Sequence, residues 1–292
     1  HLHRASNINS HFHIFRSLPV SLLPWTSLSL PTSPINSNNN WIYYHTIMML
    51  EAIRSTNFDA VCLLRHGKLE ESMYLLKGAL TALQAAGNGC DDVHDTSSST
   101  TGVAVVVVSV PLVSEGDDKD DGCSLCWNQL QNSSCYDFFG RAFLLEGSSQ
   151  LANTDENTVL CAAIGLYNMA LAMHLKGLIM GAGSTLYLSK ASSLYQKAFA
   201  VLRDSSVAAT AAPLWLATVL NLIACESELT STTTDHVVQS WKQVYEQLFT
   251  WATTESQTAY EALCRDDDES LDVLATAAVL LPSQCICTAA AA

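Results

Sequence analysis

NFDAVCLLRHGKLEESMYLLKGALTAL, residues Asn57 to Leu83, is the stretch that decides the fold of this chain. Ala60, Leu63, Gly67, Leu69, Ser72, Leu76 and Ala79 recur in it with the spacing of a helix, a tight turn and a second helix. In the second helix, Lys68 to Leu83, the residues Leu69, Met73, Leu76, Leu80 and Leu83 form one stripe at three- and four-residue steps, which predicts one buried face. Small side chains at Ala60, Ser72 and Ala79 let two antiparallel helices approach closely, while Leu63, Leu69 and Leu76 are expected to fill the seam. Gly67 stands where the first helix must stop, and a residue without Cβ relieves that turn.

This pattern resembles one tetratricopeptide repeat. A stretched second copy follows: Ala170, Met173 and Gly177 repeat the first-helix spacing, and Ala191, Tyr195 and Ala198 repeat the second-helix spacing within Leu188 to Leu202. Extra Gly-rich chain, Leu178 to Thr185, predicts a longer loop between the two. A third pair is visible by periodicity alone, with Pro213 opening Leu214 to Leu229 and Asp235 capping Val237 to Trp251. Leu271 to Leu281 reads as a helix that covers the open end of the stack. The resemblance implies an all-α class: an antiparallel helix-hairpin array, a TPR-like α-α superhelix, carrying a small two-stranded β insertion. A degenerate match of this kind specifies an architecture and not an activity.

The organisation that follows is residues 1–47 as a disordered or non-native segment, 48–84 as the first hairpin and 85–150 as a low-complexity loop with the β insertion. Residues 151–254 hold the second and third hairpins, and 255–292 a capping helix and tail. Residues 1–47 contain no acidic residue, and their composition changes abruptly at Met48-Met49-Leu50-Glu51. Two accounts of them stand: a true start at Met48 or Met49, or an organelle-targeting segment, which would be Ser-rich and acid-poor in the same way. The apolar run Leu18 to Leu30 is broken by Pro19 and Pro24, which argues against a signal peptide. Within 85–150, Val103 to Val108 predicts a strand, and Tyr136 to Leu145 predicts its partner across the loop Ser114 to Ser134. Such a ribbon must lean on a helix, because two strands alone are marginal.

A net charge of −14 with only 14 Lys and Arg repels a phosphate backbone or an anionic membrane surface, so neither nucleic acid nor membrane is expected as a partner. Val159 to Met180 is apolar, but Asn168, His174 and Lys176 interrupt it in the manner of a helix buried in protein. The ten cysteines are scattered along the chain, several inside apolar helical runs, which predicts free thiols and an intracellular, cytoplasmic setting. Asp117 to Gly122 and Asp266 to Glu269 lack the alternating ligands of a calcium loop and read as solvated charge. No catalytic motif and no cofactor are expected: the chain contains no P-loop, no dinucleotide-binding glycine motif and no metalloprotease helix.

In tetratricopeptide proteins the first helices line a concave face. By that resemblance Arg54, Asn57, Asn168, His174 and Asn221 are the polar residues expected to meet a protein or peptide partner. The basic clamp of the chaperone-tail-binding subfamily is matched only at Asn168, with no corresponding Lys. Asn168 and Asn221 have an alternative role as bridges between helix backbones, and His174 an alternative place on a helix surface. The expected function is a non-catalytic protein-interaction or scaffold module. The runner-up is a thiol-dependent metal-binding or redox regulator using Cys123, Cys126 and Cys135, the one compact group of thiols in the sequence.

Overall fold

The computed structural model describes residues 40–87, 106–112, 138–147, 154–181, 184–229, 235–265 and 268–283. Helix α1 (Asn40–Arg65) starts upstream of Met48 and ends at Gly67, whose φ of 69° lies in the left-handed region. There the Lys68 amide donates to the Leu63 carbonyl and the Gly67 amide to the Leu64 carbonyl, both at 2.9 Å, the bond pair that closes a helix on a left-handed residue. Helix α2 (Leu69–Gly87) returns along α1, and the Ser72 hydroxyl donates to the Ala60 carbonyl at 2.8 Å. Ala60, Ser72, Leu69, Leu76 and Ala79 are buried as expected. Leu63 is not in the seam. It lines an open depression with Asp59, Cys62, His66 and Lys68, while Val61 and Leu64 fill the contact. A step of four from Ala60 returns a side chain closer to the buried face than a step of three, and the whole inward row Leu50, Ile53, Asn57, Ala60, Val61, Leu64 is centred on that side.

The second pair departs from the expected loop. Helix α3 (Thr154–Met180) runs straight through Gly177, and helix α4 (Ser184–Arg203) begins soon after Gly181, which carries the positive φ of 57°. Gly177 therefore does not make the turn. A Cβ there would stand 2.9 Å from Leu188 Cγ and Cδ2, so its missing side chain lets α4 close onto α3. Ala170, Ala191, Tyr195 and Ala198 are all buried in this packed pair. The third pair is α5 (Ala212–Leu229), with Pro213 in its first turn, and α6 (Asp235–Thr250). A π-helical turn (Trp251–Glu255) and the short helix α7 (Gln257–Arg265), neither anticipated, lead into α8 (Asp268–Ser283). The Tyr245 hydroxyl of α6 donates to the Leu274 carbonyl of α8 at 2.8 Å.

Helices α3 and α5 are apolar around almost their whole circumference and are buried accordingly, so they form the centre against which the one-sided helices pack. By length and composition α3 is apolar enough to cross a membrane, and 78% of its most apolar window is buried inside the protein. Strands β1 (Val106–Pro111) and β2 (Arg141–Glu146) pair antiparallel, with Val106 opposite Glu146 and Pro111 opposite Arg141. Among the described residues the protein is thus mostly helical, built of packed helix pairs, with one small two-stranded sheet.

Candidate functional site

β2 and the residues leading into it lie against α1, α3 and α5, and that placement explains the asparagines. In an antiparallel pair alternate residues turn their N–H and C=O away from the partner strand, leaving an edge to be satisfied elsewhere. Here helix side chains meet that edge. The Phe143 amide donates to Asn168 Oδ1 at 3.0 Å, and Asn168 Nδ2 donates to the Phe143 carbonyl at 2.8 Å. Four residues back the same clasp recurs: the Phe139 amide donates to Asn221 Oδ1 at 2.7 Å, and Asn221 Nδ2 donates to the Phe139 carbonyl at 3.1 Å. An asparagine amide offers the donor and acceptor of a peptide group, so each one stands in for a residue of a missing third strand.

Neighbouring side chains complete the edge. Asn57 Nδ2 reaches the Phe143 carbonyl at 3.1 Å, and its Oδ1 accepts from Asn168 Nδ2 at 2.9 Å. The Tyr167 hydroxyl lies 3.1 Å from the Arg141 carbonyl and 3.3 Å from that of Phe139. Arg54, ion-paired to Glu51 at 3.0 Å, donates from Nη1 to the Gly147 carbonyl at 2.9 Å. Burial pushes the Tyr167 hydroxyl well above its ordinary pKa, with the Asn221 hydrogen bond acting against it, so it stays a neutral donor.

The side chains of the segment are gripped as firmly as its backbone. Phe139, Ala142 and Phe143 are buried; the Phe143 ring meets Tyr167 edge-on at 5.0 Å and lies parallel to Phe139 at 5.9 Å. Each buried Phe contributes roughly 2–3 kcal/mol from apolar burial, and each main-chain bond about 1 kcal/mol net. Arg141, which lies between the two phenylalanines in sequence, is buried too. Its Nε donates to Ser109 Oγ at 2.9 Å, its Nη1 pairs with Glu269 of α8 at 2.8 Å, and Ser109 meets Ser270 at 2.6 Å.

Of the residues expected to face a partner, Asn57, Asn168 and Asn221 do converge with Arg54 on an extended segment, but that segment belongs to this chain. The surface expected to be open is filled. Asn168 and Asn221 bridge to a strand backbone, and not to helix backbones. His174 does not belong with them: it is 1% exposed, packed edge-on against Phe138 at 4.7 Å, with Tyr195 at 6.1 Å. Its Nδ1 is buried with no hydrogen-bond partner among the described residues, and burial lowers its pKa to about 3. An imidazole on a helix that is apolar all round goes to the core in its neutral form. Tyr167, Arg141 and the two phenylalanines were not singled out from sequence, although Phe-Gly-Arg-Ala-Phe at 139–143 carried a signal in its aromatic residues four apart.

Cys123, Cys126 and Cys135 lie outside the described residues. Among the described residues no group of three His, Cys, Asp or Glu side chains is placed to hold a metal ion. The buried thiols are poor nucleophiles: burial raises Cys161 to about 12 and Cys225 well above the usual range. No protein-family model, no curated protein and no solved structure matches the chain.

Proposed function

We propose that this chain is a non-catalytic protein-interaction module of TPR-like type, a short helical superhelix whose first helices form a groove for extended polypeptide. One observation carries the reading: Asn168 of α3 and Asn221 of α5 each hold both the N–H and the C=O of one residue in an extended segment, four residues apart. Backbone recognition of this kind is indifferent to most of the bound sequence, so specificity rests with the aromatic pockets and the Arg141 site. A charge of −14 favours a basic or neutral polypeptide as partner and disfavours nucleic acid and anionic membrane.

The test is to purify the tagged full chain from the cells that produce it, crosslink, and identify associated polypeptides by mass spectrometry. A reproducible, stoichiometric protein partner is the expected result. A chain that elutes alone at its own mass, with no crosslinked polypeptide, would overturn the reading.

A further inference from the structure

We infer that residues 139–143 act as a resident ligand, and that an extended segment of another protein with the pattern aromatic-x-Arg-x-aromatic exchanges into their place. This rests on the interaction-module reading and names the site and the partner chemistry. The seat reads an extended chain from both edges. β1 pairs with one edge from Arg141 onward, while Asn57, Asn168, Asn221 and Tyr167 satisfy the other edge between Phe139 and Phe143. Every one of those helix contacts is made by a side chain to main-chain atoms of the segment, so any chain of suitable side chains meets the same partners. Two aromatic side chains are required four residues apart, where Phe139 and Phe143 now stand, with a small residue before the second, since Ala142 is wholly buried.

The central position selects a guanidinium. Glu269 supplies the carboxylate and Ser109 a hydroxyl for Arg141, while Ser270 in turn meets Ser109. The Glu269 side chain is 73% exposed and that of Arg141 6%, so an incoming arginine meets the acid from solvent before it is buried. The net charge of −14 favours the approach of a segment that carries an arginine.

The probe is a fluorescent decapeptide with the sequence of residues 138–147, FFGRAFLLEG. It is titrated by anisotropy into the full chain and into the full-length Phe139→Ala/Phe143→Ala variant, which weakens the resident segment. The variant is expected to bind at least tenfold more tightly than the unaltered chain, and replacing the peptide's Arg by Glu is expected to lose at least tenfold. Absence of binding to a variant that retains its helical circular dichroism overturns the inference. A measurement on the unaltered chain covers the case of a variant that does not fold. There the Phe139 and Phe143 amides are expected to exchange hydrogen at least tenfold faster than those in the middle of α3 and α5. Equal protection throughout means the strand leaves only on global unfolding, and the inference falls. A captured partner whose binding ignores excess decapeptide removes the groove from the account but leaves the interaction module standing.

Discussion

The pairs α1–α2 and α3–α4 carry matching glycines in sequence and use them for different physical ends. Gly67 supplies a left-handed φ and stops a helix, whereas Gly177 sits inside one and supplies space for Leu188. The pairs differ in the same way at their asparagines. Asn57 stands at the rim of the seat and shares the Phe143 carbonyl, whereas Asn168 sits beneath it with no exposed surface and holds both polar groups of Phe143. A repeat position thus predicts that a small or polar residue is needed; burial decides what the need is.

The largest expected effect tests that contrast at the asparagines. Asn168→Ala strands the buried Phe143 amide and weakens its carbonyl contact, which costs about 3 kcal/mol, whereas Asn57→Ala leaves Asn168 in place and costs about 1 kcal/mol. Urea unfolding of the two variants measures both, and equal losses would erase the distinction between rim and floor. At the glycines, Gly177→Ala forces Leu188 aside and is expected to cost about 2 kcal/mol. Gly67→Ala strains only the backbone and costs about 1 kcal/mol. A reversed order would mean that α4 yields more readily than the turn.

His174 distinguishes the inner pair by pH. Its folded pKa, about 3, lies below the value of about 6.5 it regains on unfolding. The unfolded chain therefore binds the extra proton, stability is intact above about pH 6.5, and it falls as the pH drops toward 3. Between pH 6.5 and 5 the slope approaches 1.4 kcal/mol per unit, and His174→Leu is expected to remove it from the difference between the two urea curves. The smallest effect belongs to the outer pair: Ser72→Ala, losing one bond to the Ala60 carbonyl, is expected to cost about 1 kcal/mol or less in the same assay.

Legibility in the sequence followed the same division. The α1–α2 turn was readable because its signals are local, a left-handed glycine between two three-four stripes. Leu63 was misplaced by one residue because helical facing depends on the whole buried row, which runs back to Leu50. The strand pairing of Val106–Pro111 with Arg141–Glu146 was foreseeable from β-branched and aromatic residues, but nothing local revealed where the sheet would lie. The π-helical turn and α7 went unseen because they span only 5 and 9 residues, too few turns for a stripe to stand out from the end of α6.

Periodicity, small residues and turn chemistry by themselves determined that this chain folds as paired helices with a short strand ribbon, since those properties act over a few neighbouring residues. Only the tertiary structure decided that Asn57, Asn168 and Asn221, separated by up to 164 positions in the sequence, meet on one strand edge. It alone also sent His174 into the core. The reason is that a buried amide is placed by the distant backbone that arrives to satisfy it, whereas the histidine follows the apolar helix that carries it into the core.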